Sequence, residues 1–249
     1  MGELYKFFAD LHVHTALSPC AANSATPPNI VASAIENGMQ MIAVTDHNSA
    51  ENVDAVVRCG KLHGLKVIPG MEISSREEVH LLCLFRSVSN AIALQQIVYA
   101  ALPDEQNRPD YFGRQLVTDI DGNIQGECTR LLLGAADLPL EEIVGEVHRL
   151  EGLAIAAHID RPSFSVIANL GMMPPGARFD AVEISAALTK DEAFARFPSI
   201  GGFPVITASD AHFTQDIGSN PTLFLLEKLD LEDIRMAFQG WGGREYLIQ

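Results

Sequence analysis

Long apolar runs are missing from this sequence. Stretches such as Leu81–Phe85 and Leu131–Leu133 fall far short of the roughly 18–20 residues that a membrane span needs, so no transmembrane helix is expected. Met1–Lys6 carries neither a basic segment followed by an apolar one nor a small-residue cleavage site, and a cytoplasmic protein is the expectation. Cysteine is scarce: Cys20, Cys59, Cys83 and Cys128 are irregularly spaced and form no C-x-x-C pair. This argues against a disulfide framework or an all-cysteine zinc site, and suits reduced, mostly packed thiols. Basic residues are outnumbered, 17 Lys and Arg against 32 Asp and Glu, for a formal net charge of −15. Such a chain repels phosphate backbones at long range, which argues against long duplex nucleic acid as a partner unless a local site reverses the field. What is present is a core: 47% of the 249 residues are hydrophobic, enough for one large domain or two small ones and too many for an acidic disordered tail.

Short apolar or β-branched runs alternate with amphipathic stretches, the pattern of strands joined by crossover helices. The runs are Phe7–Leu11, Met41–Thr45, Lys66–Ile68 continuing into Met71–Ile73, Val79–Phe85, Leu153–Ala157, Ala181–Ile184 and Val205–Ala208. Seven strands of this kind predict an α/β barrel. A helix opens at Pro27-Pro28 and ends before Gly38, a second spans 49–63, and a third runs over Ser89–Leu102. Leu140, Ile143, Val144, Val147 and Leu150 place a continuous apolar face on a fourth. Between about residues 103 and 135 the alternation breaks, and Asp119–Asn123 reads as the turn of a polar hairpin or loop inserted into an otherwise single domain over 1–249. It is not a calcium loop, because Ile124 and Arg130 stand where that motif needs Gly and Glu. Gly242-Gly243 lacks the Lys-Ser/Thr of a phosphate loop and reads as a turn.

Six of the eight histidines fall at the ends of these strands, each near a carboxylate. In Asp10-Leu11-His12-Val13-His14 the two histidines are two apart, so on a strand they point to the same side and can grip one ion together. Thr45-Asp46-His47 ends the next strand, with Asp46 a candidate ligand or helix cap. Glu72, between Met71 and Ile73, is poorly placed for a surface acid and could bridge two ions through its two oxygens. His80 opens the following strand, His158 ends another, and Asp210-Ala211-His212 repeats the two-residue spacing. These groups occupy the end where α/β barrels carry their sites, and together they predict a multinuclear metal centre.

These motifs, with Pro69-Gly70-Met71-Glu72 and Ser209-Asp210-Ala211-His212 in order along nearly the whole chain, resemble the PHP (polymerase and histidinol phosphatase) family of metallohydrolases. The resemblance implies a distorted (β/α)7 barrel, here with the small insertion around 103–135, that holds two or three divalent ions (Zn, Mn or Fe) and hydrolyses phosphate esters. It also implies that His12, His14, Glu72 and Asp210 hold the first ion, that Glu72 bridges to a second held by His80 and His158, and that His47 and His212 take the third. Where many members have a further His or Asp, this chain has Leu17-Ser18-Pro19-Cys20. Cys20 is either a thiolate ligand, favouring zinc or ferrous iron over manganese, or a packed thiol that leaves the third position weak.

Ions a few ångströms apart suit phosphate ester hydrolysis by an activated water, and no protein nucleophile is needed. Asp210 takes part as a ligand, Asp10 is expected to orient a histidine ligand through its other ring nitrogen, and Arg161 is expected either to bind the phosphate or to form a salt bridge at the barrel rim. Arg76 and Lys190 are lesser candidates for the phosphate, while His63 and His148 are expected to be surface residues. The function expected is hydrolysis of a small phosphorylated substrate, a phosphomonoester or nucleotide-type ester. The alternatives are an exonuclease or oligonucleotide phosphodiesterase and, of another class, a metal-stabilised regulatory or binding domain. An amidohydrolase-type barrel fits less well, because no lysine suited to carbamylation stands at the Glu72 position. The 103–135 segment is placed to act as a specificity lid.

Overall fold

The computed structural model describes residues 2–176 and 178–248. Its strands are β1 (Tyr5–Val13), β2 (Met41–Val44), β3 (Lys66–Ser74), β4 (His80–Leu84), β5 (Leu116–Thr118), β6 (Ile124–Glu127), β7 (Leu153–Ala156), β8 (Ala181–Ile184), β9 (Val205–Thr207), β10 (Thr222–Leu226) and β11 (Glu245–Leu247). The helices are α1 (Pro27–Glu36), α2 (Val53–His63), α3 (Val88–Ala101), α4 (Pro109–Phe112), α5 (Leu140–Arg149), α6 (Val166–Leu170), α7 (Lys190–Arg196) and α8 (Leu231–Phe238). All seven strands and all four helices expected from the sequence are present.

Local chemistry explains the boundaries. The prolines that open α1 occupy positions whose amide hydrogens would have no helical partner. Gly64 ends α2 at φ 77°, a left-handed conformation that glycine adopts without strain. The Ser87 hydroxyl accepts the Asn90 amide at the start of α3. Helix α5 has Glu141 and Glu142 in its first turn and His148 and Arg149 in its last, each set complementing the helix dipole.

Nine strands form one sheet in the order β11-β10-β1-β2-β3-β4-β7-β8-β9. The pairs β1–β2, β2–β3, β7–β8 and β8–β9 are parallel, whereas β4 runs antiparallel to both β3 and β7. The sheet curls until its edges meet at one end: Ala211, just beyond β9, accepts the His14 amide at 2.9 Å and donates to His12 O at 3.2 Å. At the other end β10, antiparallel to β1, fills the gap, and the Thr222 hydroxyl accepts the Thr207 amide at 3.0 Å. The result is a nearly closed, distorted barrel of the expected type. Strands β10 and β11 were not anticipated.

Alternation along the strands sorts the core into two. Ile42 and Val44 belong to the outer cluster, which also holds the buried residues of α1, α2, α3 and α5, while Met41, Ala43, Ile68, Leu82, Ile155 and Ala181 face inward and are closed off below by Leu231, Ile234 and Ala237 of α8. Between α3 and α5 lies the insertion, α4 followed by the β5–β6 hairpin. Its turn is the predicted one, with Asp119 accepting the Asp121 and Asn123 amides. The insertion is bound into the barrel. Asn52 donates to Leu116 O and accepts the Thr118 amide, both at 2.9 Å. Asn48 donates to Leu132 O and Gly134 O, both at 2.8 Å. The α carbon of Gly113, at φ 101°, lies so close to the 18–20 loop that a β carbon there would meet Pro19 O at 2.0 Å.

Candidate metal centre

The inward rows change chemistry at one end of the barrel. Because side chains repeat every second residue, the row Ile68–Gly70 continues to Glu72, Leu84–Leu82 continues to His80, and Ala181 continues to Glu183. The reversed direction of β4 puts its first residue, His80, at the end where the other strands finish. His12 and His14 close β1, and His47, His158, Asp210 and His212 follow β2, β7 and β9. His12, His14, His47, Glu72, His158 and Glu183 have 8% or less of their surface exposed and the Asp210 side chain is 6% exposed, while the His80 and His212 side chains, at 12% and 23%, sit nearer the mouth. The structure thus brings every expected histidine and carboxylate ligand into one site.

At its centre His12 Nε2, His14 Nε2 and Asp210 Oδ1 are each 3.1 Å from the other two. That edge matches donors held ~2.1 Å from a shared ion at about right angles. The other ring nitrogens are already engaged. His12 Nδ1 lies 2.9 Å from Glu183 Oε2, and His14 Nδ1 lies 2.9 Å from Ser18 Oγ, whose hydroxyl donates to Asp46 at 2.7 Å. In the neutral tautomers with the protons on Nδ1, two Nε2 lone pairs and a carboxylate oxygen converge on one point, where a cation would take the place of the proton that otherwise charges His12. Burial opposes a charge on His12, yet the carboxylates of Asp210, Glu183 and Glu72 hold it well above the usual imidazole range. Burial together with the neighbouring His212 and His47 pushes His14 well below that range.

Glu72 sits between two further groups. Its Oε1 lies 2.8 Å from His80 Nδ1 and 3.2 Å from His158 Nε2; its Oε2 lies 2.9 Å from His47 Nδ1. That second oxygen is buried without a hydrogen-bond partner of acceptable geometry, a costly state that an ion bound to it would relieve. Burial works against ionisation of Glu72, but His80, His12 and His47 hold its carboxyl well below the usual range. His14, His47 and His212 converge as a third donor group, with the His14 ring 4.6 Å from that of His47 and 4.2 Å from that of His212. The donor set fits two or three divalent ions. His47 is shared between Glu72 and the third group rather than belonging to the third alone.

Cys20, an exposed residue, lies beside that third group and is not one of its converging donors. Partial desolvation of the thiol raises its pKa, but the neighbouring His212 and His47 outweigh this and bring it down to about 7. The other cysteines stand apart: Cys59 and Cys83 are buried in the core, and Cys128 packs beside Tyr99.

Three expectations are corrected by the geometry. Asp10 faces no histidine ring; its carboxylate accepts the Ser209 hydroxyl at 2.5 Å, the Ser209 amide at 3.0 Å and the Gly218 amide at 2.7 Å, tying β1 to the loop that carries Asp210. The orienting role belongs to Glu183. A lone acid within the apolar run Ala181–Ile184 was its signal in the sequence, the same signal that marks Glu72. Asp46 is neither ligand nor cap, and accepts the Thr15 amide, the Thr15 hydroxyl and the Ser18 hydroxyl, each at 2.7 Å. His148 is not a bare surface residue, because its Nε2 lies 2.9 Å from Asp180.

A cleft of about 300 Å³ opens over the ligands. Arg161 is the one Lys or Arg lining it among the described residues; its Nη1 lies 2.5 Å from Asp210 Oδ2, and its side chain is 43% exposed. Arg76 pairs with Asp137 and Lys190 lies over the rings of Phe194 and Tyr246, so neither faces the cleft.

The PHP domain family matches residues 10–165, which contain all the expected ligands except Asp210 and His212. The chain belongs to the PHP family. No curated protein matches the sequence. Among solved structures, this PHP chain resembles endonuclease Q from Pyrococcus furiosus with a TM-score of 0.75 at 21% identity, covering 97% of this chain and 58% of that one. The PHP chain therefore spans 58% of the length of endonuclease Q. It also resembles a protein from Bifidobacterium adolescentis named as a metal-dependent phosphoesterase, with a TM-score of 0.58 at 18% identity over 83% and 88% of the two chains. An amidohydrolase from Chromobacterium violaceum bearing sulfate aligns with a TM-score of 0.58 at 18% identity over 84% and 89%. These likenesses are of fold. No helix among the described residues is long and apolar enough to cross a membrane.

Proposed function

We propose that this PHP protein hydrolyses a small phosphate ester at a di- or trinuclear metal centre. The observation that carries the reading is the triangle of His12 Nε2, His14 Nε2 and Asp210 Oδ1, 3.1 Å on each side, beside a Glu72 carboxylate whose two oxygens face different histidines. Divalent ions bound there would acidify a water and neutralise phosphate oxygens. The chain's own residues do the rest. Glu183 and Ser18 fix the tautomers of His12 and His14, keeping the Nε2 lone pairs aimed inward. Arg161, braced on Asp210 and still partly exposed, binds a phosphate oxygen with a free face of its guanidinium. A single arginine in the cleft and an overall charge of −15 suit one phosphate group better than a long polyanion.

The test is metal analysis of the purified protein followed by hydrolysis assays on phosphomonoesters, cyclic nucleotides and short oligonucleotides after loading with Zn, Mn or Fe. Two or more ions per chain and turnover of a phosphomonoester, reduced at least 100-fold in His12→Ala, are expected. Bound metal without turnover of any phosphoester under all three loadings would favour a regulatory domain. Preference for oligonucleotides would favour the nuclease reading.

A further inference from the structure

Backbone strain in this protein gathers at the cleft. Among the described residues six non-glycine positions have positive φ, namely Asn48, Glu78, Glu151, His158, Phe164 and Asp210, and four of them line it. For three the reason is visible: His158 and Asp210 turn donor atoms toward the centre, and Asn48 holds both β3 and the Leu132 segment through its side chain. Phe164, at φ 57°, is different. Its carbonyl accepts the His80 amide at 2.9 Å, a duty that glycine or asparagine would perform at this φ without the strain a bulky side chain adds. Its ring stacks on His80 with centroids 4.8 Å apart and planes 21° from parallel, yet the residue is 46% exposed. An aromatic ring held at a strained position, packed on one side by a candidate ligand and open on the other, is unexplained by folding alone.

The insertion lines the same cleft with Leu133, backed by the fully buried Leu132, so an apolar wall accompanies the histidines, the carboxylates and the single arginine. We propose that Phe164, with Leu133, forms a leaving-group subsite that takes a flat ring, aryl or heteroaryl, on the alcohol side of the ester. This rests on the phosphoesterase reading and names its substrate class. In the reaction, the oxygen of water bonds to phosphorus, the bond from phosphorus to the ring-bearing alkoxide breaks, and that oxygen leaves with a proton, giving inorganic phosphate and the free alcohol. A cleft of about 300 Å³ stands at the small end of ligand sites and suits a compact ring ester.

The experiment compares benzyl phosphate, a nucleoside 5′-monophosphate and glycerol phosphate, whose leaving groups are all alkoxides, on the metal-loaded wild type, Phe164→Ala, Phe164→Gly and Phe164→Trp. Expected is a loss in kcat/KM of about tenfold in the Ala and Gly variants for the ring-bearing esters, less than about twofold for glycerol phosphate, and retention in the Trp variant. The benzyl and nucleotide arms separate a simple aryl group from a nucleobase. Because Gly relieves the strain at this φ, Phe164→Gly should keep its metal content and Tm while losing the ring preference. Equal losses on all three esters would overturn the proposal and assign Phe164 a structural role. Benzylphosphonate, which is not hydrolysed, supplies a readout independent of turnover: its Kd by calorimetry should rise about tenfold in Phe164→Ala while that of methylphosphonate stays constant. Unchanged benzylphosphonate affinity overturns the subsite, whereas absence of all hydrolysis with that affinity difference intact overturns only the phosphoesterase reading.

Discussion

His12 Nδ1 and Glu183 Oε2 lie 2.9 Å apart, and both side chains are buried, at 0% and 1% exposure. With a cation bound, the carboxylate would hold the Nδ1 proton and so commit the lone pair of Nε2 to the centre of the site. Glu183→Gln keeps the shape of the side chain and removes its charge. Metal affinity should fall 10- to 100-fold with the fold retained, as measured by competition against a chelator. Unaltered affinity would show that the pair does not tune the ligand.

Cys20 offers a different handle. In chelator-treated protein its alkylation should reach half its maximal rate near pH 7, because the neighbouring His212 and His47 favour the thiolate and bring its pKa to about 7. A free thiol reaches that point near pH ~8.5. Peptide mapping by mass spectrometry gives the site, and Cys83, buried and shifted upward by that burial, should stay unmodified. Loading with zinc should protect Cys20 if it is a ligand. A profile centred at the free-thiol value would contradict the contacts with the two histidines.

Gly113 tests the brace on the Cys20 loop. Gly113→Ala would force a β carbon to within 2.0 Å of Pro19 O at a φ of 101°, so the loop must move. A loss of about 2–4 kcal/mol is expected, lowering Tm by roughly 4–16 °C, together with slower alkylation of Cys20 at pH 7. Gly64→Ala is the comparison, since nothing lies within 4 Å of its added β carbon and only the left-handed backbone penalty of about 1 kcal/mol applies.

Far from the cleft, Asp233 supports the acid limb of stability. It accepts the Glu227 and Lys228 amides at 2.8 and 2.7 Å and pairs with Arg244 Nε at 3.0 Å. Burial opposes its ionisation, but Arg244 and those two amides hold its pKa below the usual value. A depressed carboxyl stabilises the fold at pH above its unfolded pKa of about 3.9, and that contribution is lost as pH falls through the lower folded value. Asp233→Asn should therefore lower Tm by several degrees at pH 7, with the gap to wild type closing below pH ~3.5. A gap that is constant with pH would mean the charge of Asp233 is not the stabilising element.

Most of the candidate site was legible because its ligands obey short-range rules. His12 and His14 share a side through strand periodicity, and Glu72 stands out as an acid in an apolar run. Glu183 obeyed the same rule but had no histidine beside it in sequence, and its partner lies 171 positions away. Asp10 shows the opposite failure. Adjacency to His12 suggested a shared task, whereas the curl that joins β1 to the loop after β9 hands its oxygens to Ser209 and Gly218. Arg76 and Lys190 failed for a related reason: nearness to a strand end does not set the direction of a long side chain, and each found a closer partner. Strands β10 and β11 escaped because the pattern of parallel strands with crossover helices has no place for an antiparallel pair that fills a gap between the first barrel strand and the last.

The chain leaves the barrel after α3 and comes back where the Asp137 amide meets Ala101 O at 2.8 Å. Between those points the excursion is unevenly replaceable. Its β6 strand is exposed along its length and contributes no residue to the lining of the cleft. Its inner half is soldered in place by Asn48, Asn52 and the contact of Gly113 with Pro19. A laboratory graft aimed at altering selectivity should then exchange Leu133 and leave the buried Leu132 and the rest of the loop untouched.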